Sequence, residues 1–266
     1  MKRTLLSMAM MAAVSTSFAQ KALVLYYSQT GTTKTVAEEL QKQLGADIER
    51  IEAVKPYSGD FQATIQRGGE ELRNGTVPEI TPIKSNLAKY EVIFIGYPIW
   101  FGTYAMPIAT LVKQNDFAGK TIVPFCTFGS GGLNTSTDAL RKALPKANIR
   151  QGYGVRTARE TAAAKELDRF LKENGFKPGS VKPRPDYSEQ QPVTDKDKAI
   201  FDAACSSYQF PLGTPQTVGK RQTEEGTDYK FTVKSRGMNG EESSSIIYVT
   251  KGNASDAKPE FTEVVR

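Results

Sequence analysis

The sequence predicts an open, doubly wound α/β sheet followed by a smaller α+β module. Three observations carry this. Two unbroken apolar runs, "KALVLYY" from Lys21 and "EVIFIGYPI" from Glu91, read as parallel strands buried on both faces. Apolar residues at helical spacing follow each of them. Beyond Phe176 the chain turns to proline and polar residues, and short alternating runs then replace the α/β rhythm.

The elements follow in order. Lys21 to Tyr27 is the first strand. Val36, Leu40 and Leu44 recur four apart, and Gly45 is placed to stop that helix. "ADIERIEAV" alternates as a second strand. Tyr57 to Gly75 is polar, part helix and part excursion. Glu91 to Ile99 is the third strand, and Tyr104 to Gln114 a helix with Ile108, Leu111 and Val112 on one side. "KTIVPFCTF" is the fourth strand. Asn134 to Leu144 is a helix entered through Thr and Ser caps. "NIRQGYGVR" is a weaker fifth strand, and Thr161 to Asn174 a helix with Leu167, Phe170 and Leu171 inward and Gly175 as its stop. Residues 20–177 therefore form the first domain, and such a sheet binds ligands at the carboxyl ends of its strands.

Residues 178–191 carry Pro183, Pro185 and a "SEQQ" run, and read as a semi-extended linker. Residues 192–266 form the second module. Asp195 to Tyr208 is helical, with Ala199, Ala203 and Ser206 sharing a face. "TPQTVGKRQT", "TDYKFTVKSR", "SSIIYVTK" and "PEFTEVV" are four antiparallel strands.

Composition excludes several chemistries. The chain has no histidine, which removes Ser-His-Asp and Cys-His catalysis and the commonest zinc ligand. Cys126 and Cys205 match no metal spacing and read as two separate thiols, so no catalytic triad and no metal site is expected. Residues 20–182 carry a net +6 and residues 183–266 a net −2, with much of the excess on Arg150, Arg156, Arg159, Lys165 and Arg169. The plain reading of that run is a solvated helix face. No nucleic-acid motif accompanies it.

The N-terminus reads as a secretory signal. Lys2 and Arg3 are a basic start, Leu5 to Val14 a short apolar run, and Ser17-Phe18-Ala19 a small-x-small site with cleavage after Ala19. A periplasmic or secreted protein without membrane insertion is expected.

Three strand ends concentrate the chemistry. The first is Ser28-Gln29-Thr30-Gly31-Thr32-Thr33, where hydroxyls surround a glycine at a helix start. Free amides and hydroxyls there suit one phosphate monoester. No Gly-Lys-Ser/Thr follows, so this is not a triphosphate loop. The second is Pro98-Ile99-Trp100-Phe101-Gly102, whose aromatics suit a flat ring. The third is Thr127-Phe128-Gly129 with Gly131 and Gly132, where backbone could lie against a ligand edge.

This arrangement over residues 21–175 resembles the flavodoxin family. Ser28, Thr30, Gly31 and Thr33 match its hydroxyl-x-Thr-Gly-x-Thr phosphate loop. The resemblance implies a five-stranded parallel sheet in the order 2-1-3-4-5, FMN as cofactor, and electron transfer with a redox partner protein. Trp100 is then the residue set against the flavin ring, with the loop from Thr127 to Gly132 at its pyrimidine edge. That third loop has no tyrosine, which implies a half-open ring. The absence of charge from Tyr97 to Pro107 predicts a hydroquinone potential less negative than that of an acidic flavodoxin. The alternatives are an FMN-dependent NAD(P)H:quinone-type reductase, or a flavin-free interaction protein. The second module resembles cystatins in element order and in Gln222, Gly226 and Tyr229, although Glu224 stands where that family has an apolar residue. That resemblance implies protein contact or dimerisation rather than protease inhibition.

Overall fold

The computed structural model describes residues 21–236 and 240–266. The expected signal segment, residues 1–19, lies outside the described residues. β1 (Ala22–Tyr26) is flanked by β2 (Asp47–Arg50) and β3 (Val92–Trp100), both parallel to it. β4 (Thr103–Tyr104) folds back on the end of β3 as a short hairpin. β5 (Thr121–Phe128) continues the parallel sheet beyond β3. Both faces of β1 are buried, with Leu23 and Leu25 in one layer and Val24 and Tyr26 in the other.

The fifth position departs from the single expected strand. It is split into β6 (Asn148–Ile149) and β7 (Tyr153–Arg156), which pair with different halves of β5. Pro124 explains the break. Arg150 donates to the Ile122 carbonyl, so even-numbered β5 residues turn their ladder groups toward this edge. Pro124 belongs to that set and has no N–H to give. The order 2-1-3-4-5 is otherwise kept.

The helices cover both faces. α1 (Thr32–Leu44) ends at Gly45 as expected. α2 (Phe61–Asn74) fills the polar excursion and is capped by Asp60, whose side chain accepts from the Ala63 amide. α3 (Met106–Gln114) carries Pro107 in its first turn, where a missing N–H costs nothing. α4 (Leu133–Ala143) is entered through Gly132 at φ 116°, with no Ser or Thr cap as its sequence suggested. α5 (Ala163–Glu173) packs Leu167, Phe170 and Leu171 inward.

The second module is a helix against an antiparallel sheet. The expected linker does not stay free. Its end contributes β8 (Gln191–Pro192) to the sheet edge, and the Ser188 amide donates to the Lys220 carbonyl. α6 (Asp195–Cys205) opens with a Thr194–Asp197 capping box, and Asp197 pairs with Lys220 at 2.6 Å. Ala199, Ala203 and Ser206 form its outer face, and Phe201 and Ala204 pack inward. β9 (Thr214–Gln222), β10 (Gly226–Arg236), β11 (Glu242–Gly252) and β12 (Glu260–Val265) form a meander in the order 12-11-10-9-8. Among the described residues no helix is long and apolar enough to cross a membrane, and both cysteines are free thiols.

β12 decides how the modules meet. Its pairing with β11 shifts at Thr262, which is left as an extra residue between Phe261 and Glu263. The bulge lets Phe261 and Val264, three apart, both enter the second core. It therefore turns Glu263 and Val265 the other way, toward the first module.

Candidate functional site

The first loop leaves open space and free backbone amides at the head of α1. Gly31 has φ 103°, a conformation only glycine takes without strain, and open space lies above its Cα. Ser28 Oγ accepts from the amides of Gly31 and Lys34, both at 3.2 Å. Ser28 is thus the cap of α1, reaching forward from outside the helix. The Thr35 amide makes the first intrahelical bond, to the Gly31 carbonyl. The Thr32 and Thr33 amides remain for a ligand, at the positive end of the helix. Arg50 donates to the Ser28 carbonyl at 3.1 Å and brings its charge beneath the loop.

The hydroxyls divide by role. Thr33 Oγ1 and Thr127 Oγ1 lie 2.8 Å apart and buried, which ties the first loop to the third. Thr30 is exposed and free to turn toward a ligand. Gln29 does not face that space. It accepts from the Tyr27 hydroxyl and donates to the Ser58 carbonyl at 2.6 Å, anchoring the α2 excursion.

The second loop differs from expectation. Trp100 stands edge-on to Tyr57 at 4.9 Å and to Tyr27 at 5.8 Å. Gly68 and Gly69 let α2 close over Trp100 and Phe101. Successive residues alternate sides, so Ile99 and Trp100 leave the β3–β4 hairpin in opposite directions. Ile99, Phe101 and Gly102 open on a cavity of about 320 Å³, and Trp100 does not. Pro98 is half-buried beside the third loop, where it pairs with Thr127. The residue type at this strand end was legible in the sequence, but the side of the hairpin was not.

The third loop forms the opposite side of the same cavity, from Phe128 through Gly132. Phe128 belongs mostly to the core. The rest of the loop carries a contact that its own sequence does not announce. Ser130 accepts from the Val264 amide at 2.8 Å, and a Cβ on Gly131 would fall 2.2 Å from the Val264 carbonyl oxygen. The second module therefore sits directly on this loop, and only glycine allows that approach.

Arginines clasp the two modules. Arg156 is buried, donates to the Gly129 carbonyl at 2.7 Å and the Phe261 carbonyl at 3.0 Å, and lies over the Phe261 ring. Burial lowers its pKa, and no ion pair to it occurs among the described residues. Arg159 pairs with Glu166 and with Glu260 of β12. Arg169 reaches Glu225 at 3.5 Å. The basic run expected to be a solvated face is in part an intramolecular interface. The opposite net charges of the two modules were the signal that could have found it.

Glu263 changes the electrostatics. Its carboxyl lines the cavity, and burial raises its pKa, although the facing Gly132 and Leu133 amides pull the other way. These amides stand at the head of α4, which has no side-chain cap of its own. Arg266 also lines the cavity. The absence of charge from Tyr97 to Pro107 therefore does not extend to the whole cavity lining, which Glu263 and Arg266 join. A raised folded pKa means that Glu263 favours folding most below its unfolded value, and that this contribution is lost as pH rises through the folded value. Glu263→Gln is therefore expected to raise the melting temperature at pH 7. The gain should vanish on acidification to below the ordinary glutamate range. A thermal melt series against pH checks this, and a pH-independent difference would contradict it.

The fold and these loops define a class: an open, doubly wound α/β protein whose candidate ligand site spans the carboxyl ends of β1, β3 and β5. Residues 21–172 match the family model described as Flavodoxin, which is more than half the chain, and the chain belongs to the flavodoxin family. A candidate flavoprotein from Bacteroides uniformis, solved at 1.50 Å, is 29% identical, covers 56% of this chain and 97% of its own length, and superposes with a TM-score of 0.51. A flavoprotein from Lactobacillus acidophilus, solved in complex with FMN, is 23% identical over 58% of this chain and all of its own, with a TM-score of 0.50. That likeness shows the fold. No curated protein matches this chain. The family match ends at Lys172 and leaves the second module outside it.

Proposed function

We propose that this protein binds FMN and carries electrons. The carrying observation is the first loop, where two free amides and Thr30 surround open space above Gly31 at the head of α1. One monoester fits that seat, and membership of the flavodoxin family makes FMN the phosphate-bearing ligand of choice. The FMN complex of the L. acidophilus protein, which has the same fold, supports the same choice. Bound flavin supplies the redox chemistry. The chain's residues hold and shape it: Thr30, Thr32 and Thr33 at the phosphate, Ile99 and Phe101 on one side of the ring site, and the backbone from Gly129 to Gly132 on the other.

The signal-like residues 1–19 support export. A chain exported unfolded then acquires its flavin after folding. The second module, which has the element order noted for cystatins, is proposed as a docking surface for the redox partner. Titrating flavin-free protein with FMN tests the cofactor. Quenched flavin fluorescence at one equivalent is expected, and unchanged fluorescence would sink the reading. Mixing the loaded protein with reduced nicotinamide tests the carrier role. Slow bleaching is expected, whereas rapid bleaching without a partner protein would make it a reductase instead.

A further inference from the structure

We propose that the Glu263–Arg266 end of β12 forms the third wall of the flavin's ring site, so that the second module takes part in cofactor binding as well as in docking. This rests on FMN being the ligand. The cavity between the second and third loops is lined on a further side by Glu263, Val264, Val265 and Arg266. Its volume of about 320 Å³ lies within the range of small-ligand sites.

The wall is held in place from several directions. The Val264 amide is bonded to Ser130, the Phe261 carbonyl to Arg156, and the Glu260 carboxylate to Arg159. The bulge at Thr262 aims Glu263 and Val265 at the first module, while Val264 stays in the second core. A strand used only for docking would not need its polar and small apolar side chains turned into an open cavity. Here the same turn places a half-buried carboxyl and a valine on the cavity that the third loop lines, where the flavin edge is expected. The sequence predicted a ring half open for want of a third-loop tyrosine, and β12 lines the cavity beside that loop.

Val265→Trp extends bulk into the cavity without touching the first loop, and Glu263→Ala removes the carboxyl. Each full-length variant and the wild type is titrated with FMN by fluorescence, with circular dichroism as the folding control. Amide exchange of the wild type is measured with and without FMN. Val265→Trp is expected to weaken binding at least tenfold, and FMN is expected to slow exchange at Glu263 and Val265. If the wild type binds no FMN, the cofactor reading falls and the wall with it. If the wild type binds, both variants match it within twofold, and β12 gains no protection, the wall is overturned and the cofactor reading stands. Where a variant misfolds or the two readouts conflict, the exchange result on the wild type decides.

Discussion

Arg156→Ala is expected to loosen β12 from the first module and to cost about 2–4 kcal/mol of stability. The guanidinium answers two carbonyls in different modules, Gly129 and Phe261, and lies over the Phe261 ring. Truncation removes the arginine donor from both carbonyls at a buried junction. The charge itself has no carboxylate partner, so its removal relieves some desolvation and keeps the cost below that of breaking a buried ion pair. Arg156→Lys should recover less than half of the loss, because one ammonium cannot reproduce the planar fork. Urea unfolding followed by circular dichroism measures the loss, and exchange at β12 locates it. A change below about 1 kcal/mol would mean that Val264 and Arg159 hold the junction unaided.

Thr30→Glu is expected to act with opposite signs on the empty and loaded protein. Thr30 is exposed and precedes the head of α1. A carboxylate there meets the positive end of the helix and should stabilise the flavin-free protein by about 0.3–1 kcal/mol. The same carboxylate faces the phosphate seat. Repulsion of about 2–3 kcal/mol at an intermediate dielectric weakens FMN about a hundredfold. Melting of the flavin-free variant and FMN titration together check the pair. Equal small effects on both would show that the loop only caps a helix.

Ser28 sharpens that distinction. Its hydroxyl is committed to the Gly31 and Lys34 amides, and the Thr33 hydroxyl to Thr127. Part of the hydroxyl density of this loop is therefore structural. What remains for a ligand is Thr30, Thr32 and the two amides that capping leaves over. The density was visible in the residues, but its division needed the fold, because a hydroxyl looks the same in sequence whether it caps, ties or binds.

Other elements separate along the same line. The strands β1, β3 and β5 were legible because burial on both faces leaves continuous apolar runs. The fifth strand was legible in place but not in its break, which depends on which way Pro124 faces in the ladder. Trp100 was legible as an aromatic at a strand exit. Its turn away from the cavity follows from the side of the hairpin it occupies, and Tyr27, Tyr57 and α2 hold it there.

The sequence by itself determined the α/β rhythm, the first loop and the family, because turns, helix starts and periodic burial are written in neighbouring residues. Only the tertiary structure decided that Glu263 and Val264 stand beside Gly131. That contact joins residues far apart in the chain. It depends on a one-residue bulge at Thr262 and on an arginine clasp between two modules of opposite charge, and neither leaves a periodic trace.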